Sequence, residues 1–176
     1  TGFTRGQFLF NQLSIRNQRQ ALGYFVQLVP VKLFADGMRA LEKGEWDLAA
    51  ATFDVLSSQA PTYRSAEVAN GLFKAQMELG RLALEEDELE DALRHFDQAL
   101  AARADDTDAL ELRGLTSTYY SAQRAYDKKD WLTASKHFRS VYLIEPDFLD
   151  TVELLAQSHY ELGQQYEKRE VWCQAA

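Results

Sequence analysis

Proline and cysteine are scarce in this chain, with three and one among its 176 residues. So little proline leaves long helices unbroken, and a lone Cys173 excludes an internal disulfide. No long apolar run is present either. The longest uncharged stretch, QALGYFVQLVPV between Arg19 and Lys32, contains Gln20, Gln27 and Pro30 and falls well short of the ~20 apolar residues that cross a bilayer. Basic charge is in deficit: 19 Lys and Arg face 27 Asp and Glu, a formal net charge of −8. That balance argues against a binder of nucleic-acid backbone, which relies on clustered cations. Glycine-rich phosphate loops are missing as well, since Gly2 and Gly6 are the closest glycine pair and no Gly-Lys-Ser/Thr follows them.

What is present is a helix-forming composition. Hydrophobic residues make up 46% and charged residues 26%, rich in Ala, Leu, Glu and Gln, which favours an all-α chain. Four phrases then align: GEWDLAAATFDVLSSQAPTY, EDELEDALRHFDQALAARAD, KKDWLTASKHFRSVYLIEPDF and EVWCQAA. Their bulky first positions, Trp46, Leu89, Trp131 and Trp172, are spaced by 43, 42 and 41 residues. Ala49, Ala92, Ala134 and Ala175 follow, then Phe53, Phe96 and Phe138, with Pro61, Ala104 and Pro146 in one later phase. Upstream of each bulky position stands a small residue, Gly37, Gly80, Ala122 or Gly163. Glycine inside a helix costs about 1 kcal/mol relative to alanine, so its recurrence predicts close approach of a neighbouring element. Trp46, Trp131, Phe53, Phe96 and Phe138 are predicted core.

Ser65, Asp108 and Asp150 also fall in phase and read as helix N-caps, with Glu111 and Glu153 completing capping boxes for the last two. The repeating unit is therefore a cap, a helix of about 20 residues, a tight turn and a second helix of about 13. The opening TGFTRGQFLF, through Phe3, Gly6 and Phe10, fits the second helix of a preceding unit. This divides the chain into a partial unit over 1–20, units over 21–63, 64–106 and 107–148, and an incomplete unit over 149–176. In the first full unit Pro30 falls in mid-helix and predicts a kink or a restart at Val31. The ending EVWCQAA reads as a cut through a unit, so the chain is expected to be a window on a longer array with a frayed end at Trp172 and Cys173.

Small residue, bulky aromatic, alanine, phenylalanine and proline at these offsets resemble the tetratricopeptide repeat, over Phe3 to Ala176. The period departs from that family's, about 34 residues, and the excess lengthens the first helix of each pair. The resemblance implies antiparallel helix pairs stacked as a right-handed α-α superhelix, or solenoid, whose long helices line a concave groove for a peptide or partner helix. Carried over position by position, the groove residues are Phe34 and Met38, Met77 and Arg81, Tyr119, Gln123 and Tyr126, and Tyr160 and Gln164. The basic clamp by which some members grip acidic tails is missing: Phe34, Met38, Glu78, Thr116 and Tyr120 occupy its positions, with only Lys74 nearby.

Catalytic patterns are not found. His95 and His137 share one phase, but equivalent positions of stacked units lie roughly 10 Å apart, too far to share a metal ion. Cys173 has no sequence partner for a catalytic thiol. The run LEEDELED lacks the glycine and ligand spacing of a calcium loop. The expectation is a non-enzymatic protein-binding scaffold without cofactor or metal. The alternatives are a self-assembling element, homo-oligomeric through exposed repeat ends, and a regulatory array attached to an enzyme or membrane-anchored domain outside this numbering.

Overall fold

A computed structural model describes the backbone of residues 15–168 and the side chains of residues 28–168. The expected helix over TGFTRGQFLF and the Trp172 to Ala175 phrase lie outside the described residues. Within them the chain is all-α, with seven helices: α1 (Ile15–Lys43), α2 (Trp46–Gln59), α3 (Ser65–Glu85), α4 (Leu89–Ala102), α5 (Thr107–Asp127), α6 (Trp131–Tyr142) and α7 (Thr151–Lys168). Long helices α3 and α5, at 21 residues each, alternate with short ones of 14, 14 and 12 residues, as the period predicts. The chain divides into two compact units, Thr1–Gln76 and Met77–Ala176, with α3 contributing to both.

Three turns join a long helix to a short one, and they share one construction. The N–H of Glu45 donates to the Ala40 carbonyl at 2.9 Å, that of Glu88 to Ala83 at 2.8 Å and that of Asp130 to Ala125 at 2.9 Å. Each such bond links residues five apart, and a second bond runs from the preceding N–H: Gly44 to Leu41, Asp87 to Leu84 and Lys129 to Tyr126. This is the Schellman closure of a helix C-terminus, which needs a left-handed residue. Gly44, Asp87 and Lys129 supply it, with φ of 73°, 59° and 60°. So tight a turn between helices that pack together leaves α1 antiparallel to α2, and α5 to α6.

In the first unit α1 packs on α2, and the core forms around Phe53, fully buried with Ala40, Ala49, Leu56 and Val68 beside it in the buried set. Helix α1 runs through Pro30 as one assigned span, so the expected restart at Val31 does not occur, and the unit boundary drawn at residue 20 falls inside this helix. Tyr63 closes the unit by turning its ring toward Phe34.

In the second unit α4 packs on α5, α5 on α6 and α6 on α7. Phe96 and Phe138 are fully buried, as are Ala92, Ala122, Ala134 and Val141. The caps differ from the expected ones by a residue or two. Asp106, rather than Asp108, caps α5 by accepting the Ala109 N–H at 3.1 Å. Ser65 is the first residue of α3, and the Arg64 carbonyl accepts the Val68 N–H. Asp150 does precede α7, but its carboxylate accepts the Tyr119 hydroxyl. Asp130 caps α6 through the Thr133 N–H at 3.2 Å; a hydrogen bond from the Thr133 side chain, and then that from its N–H, hold the carboxyl below the usual range.

Candidate functional site

The nine expected groove residues separate into two groups. Phe34, Met77, Tyr119 and Tyr160 share one phase of the repeat. Tyr119 is 1% and Met77 5% exposed, so both are core residues, whereas the resemblance had placed them on the groove. The reason is a pair of ring contacts. Tyr119 stands edge-on to Phe138 at 5.5 Å and to Phe148 at 5.8 Å. Phe34 repeats the arrangement in the first unit, against Phe53 and Tyr63, both at 6.2 Å. Tyr63 and Phe148 each lie 17 residues past the bulky position of their unit, a recurrence readable in the sequence that the groove assignment overlooked. Tyr160, by contrast, is 61% exposed.

The other group remains accessible. Met38 and Arg81 are exposed, Gln123 and Gln164 half-buried. Tyr126 is half-buried, edge-on to Trp131 at 5.1 Å and to Phe138 at 6.4 Å. Trp46 and Trp131 are also half-buried, which corrects their expected place in the core.

Among the described residues a cleft is found in each unit. In the first, a cleft of about 510 Å³ opens between α1 and α3, with Phe34, Met38, Leu41 and Glu42 on one wall and Arg64, Glu67, Asn70, Gly71 and Lys74 on the other. The floor is apolar because Phe34 and Leu41 each sit one helical turn from Met38, on one stripe of α1. Arg64 holds φ at 45° and carries its guanidinium over the Phe34 ring, 4.7 Å from the centroid, within 3.7 Å of Glu67. Lys74 lies 5.9 Å from the centroid of Trp46. Two cations and two carboxylates thus rim an apolar floor that the sequence pattern located only through Phe34 and Met38.

In the second unit a cleft of about 500 Å³ is lined by Lys129, Trp131, Glu161, Gln164, Gln165 and Lys168. Its lining is about equally polar and apolar, with Trp131 its one aromatic residue. On α5, two adjacent tyrosines bond to different partners. Tyr119 donates to Asp150 and Tyr120 to Glu90. Burial and the Asp150 carboxylate push the Tyr119 phenol far above its ordinary range, and the bond to Glu90 raises that of Tyr120. Both phenols stay protonated near neutral pH, so they act as fixed donors that tie helices together.

Among the described residues no cluster of three or more His, Cys, Asp or Glu is placed to hold a metal ion, and no helix is long and apolar enough to cross a membrane. No protein-family profile matches this chain, and no curated protein matches it.

Proposed function

We propose that this chain is a tetratricopeptide-like repeat array, a right-handed solenoid of antiparallel helix pairs, that acts without catalysis by binding a peptide or partner helix along its long helices. The repeated Schellman turns at Gly44, Asp87 and Lys129 and the alternation of long and short helices support the array. The observation that carries the function is the cleft of about 510 Å³ over Phe34, Met38 and Leu41. Aromatic and methionine side chains offer adaptable apolar contact, and a rim of Arg64, Lys74, Glu42 and Glu67 suits an amphipathic segment bearing both charges. A small number of apolar anchors spaced along one helical face would fill it.

Selection from a displayed random-peptide library tests the reading. The wild type is expected to enrich sequences with apolar anchors at helical spacing, and Met38→Glu, a change at a residue 38% exposed with the fold checked by circular dichroism, to lose them. Enrichment of the same sequences by Met38→Glu, or enrichment of none by the wild type, would refute it.

A second reading, self-association, has an observation of its own. Leu143 and Ile144 are 71% and 63% exposed at the end of α6, and Tyr142, Leu149 and Val152 are exposed around them. If this apolar surface joins copies of the chain, sedimentation will show an oligomer that Leu143→Glu with Ile144→Glu dissolves.

A further inference from the structure

The cleft of the second unit carries a different chemistry from that of the first. Lys129 and Lys168 line it together with a single acidic residue, Glu161, in a chain of formal charge −8. Among the described residues neither lysine has an ion-pair partner. Glu161 is already engaged, accepting from Gln157 Nε2 at 2.9 Å, and the neighbouring Asp130 is turned to its capping bond with Thr133. The lining residues thus carry two positive charges against one negative on an acidic protein, which favours an anionic occupant.

Lys129 can be replaced without loss of its turn. It holds φ at 60°, in the turn position that the first unit fills with Gly44 at φ 73°. Glycine takes that angle without strain.

The remaining lining residues narrow the occupant. Gln164 and Gln165 each offer a donor and an acceptor, which match the N–H and C=O of a peptide main chain; a phosphate or a small dicarboxylate would leave the acceptor ends unused. Trp131 adds an apolar face for a side chain. We infer that this cleft binds an acidic peptide segment, with its carboxylates on Lys129 and Lys168, its main chain on Gln164 and Gln165, and an apolar side chain on Trp131. The site is separate from the apolar cleft of the first unit, so Met38→Glu leaves it intact and the two readings fail independently.

Fluorescence anisotropy with a short fluorescein-labelled peptide, glutamates around a central phenylalanine, tests the inference against a counterpart with every glutamate replaced by glutamine. The acidic probe is expected to bind the whole chain about tenfold more tightly than the neutral one, and less tightly as salt is raised. Lys129→Gly and Lys168→Gln are each expected to weaken it about three- to fivefold, and Met38→Glu to leave it unchanged. The Tm of Lys129→Gly should equal or exceed that of the wild type, which separates lost binding from lost folding. Equal binding of the two probes, or undiminished binding by both lysine variants, overturns the proposal. Displacement by free glutarate as effective as by unlabelled peptide overturns it too, in favour of a small-anion site.

Discussion

The ring of Phe53 occupies the space that a Cβ on Gly71 would need, since the two would stand 2.5 Å apart. Gly37 meets the other side of the same ring, with a Cβ there 2.9 Å from Cε1. A phenylalanine from α2 is therefore seated between glycines of α1 and α3. Gly80 and Phe96 repeat the contact in the second unit, also at 2.5 Å. Alanine normally gains about 1 kcal/mol over glycine in a helix. Here the gain is expected to be reversed, with Gly71→Ala and Gly80→Ala each losing about 1 to 3 kcal/mol through overpacking. Gly114, in α5 with nothing within 4 Å of its added Cβ, supplies the contrast: Gly114→Ala should gain about 0.5 to 1 kcal/mol. Urea unfolding of the three variants measures both signs.

Phe96 is fully buried, whereas Leu48, near the start of another short helix, is 56% exposed. Phe96→Ala is expected to cost about 3 to 5 kcal/mol, and Leu48→Ala to stay within about 0.5 kcal/mol of the wild type. Calorimetric Tm values would distinguish this core from one in which both residues contribute alike.

Asp87 adopts φ 59° in the turn that Gly44 makes without strain. Asp87→Gly should stabilise the chain by about 0.5 to 1 kcal/mol, the relief of the left-handed backbone exceeding the entropy glycine adds to the unfolded state. A drop in the urea midpoint would show that the Asp87 side chain contributes more than its backbone costs.

The Tyr119 phenol is held protonated by burial and by its bond to Asp150, so its ionisation in the folded protein lies above that of an unfolded tyrosine. The stabilisation this provides is fully present below about pH 10 and is lost as the pH rises beyond it, because the unfolded phenol ionises first. Tyr119→Phe should be less stable by about 1 kcal/mol at neutral pH, and the gap to the wild type should shrink above about pH 10. Urea melts across that range follow it; a gap independent of pH would mean that the hydroxyl is not the group responsible.

The comparison of Phe53 with Phe34 shows where sequence reading succeeds and where it stops. Phe53, Phe96 and Phe138 follow an alanine on short helices at spacings of 43 and 42 residues, and all three are fully buried. The recurring Gly37 and Gly80 predicted close approach and have it. Gly71 breaks the phase of those two and was invisible to the pattern, although its contact with Phe53 is among the tightest.

Phe34, Met77, Tyr119 and Tyr160 share one sequence phase, yet their exposure runs from 1% at Tyr119 to 61% at Tyr160. Periodicity states which stripe of a helix a residue occupies; it does not state what is packed against that stripe. That was decided by Tyr63 and Phe148, which follow the short helices and bring their rings back onto the long ones. The clefts are likewise tertiary, for Arg64 and Phe34, or Lys129 and Gln164, are brought together only when helices pack. The sequence by itself determined the all-α class, the period, the turns and the phenylalanine core, because these depend on local spacing and on the burial of apolar surface. The inward or outward fate of the long-helix aromatics, and the charge of each cleft, were set by packing between segments distant in the chain, a relation that no local spacing encodes.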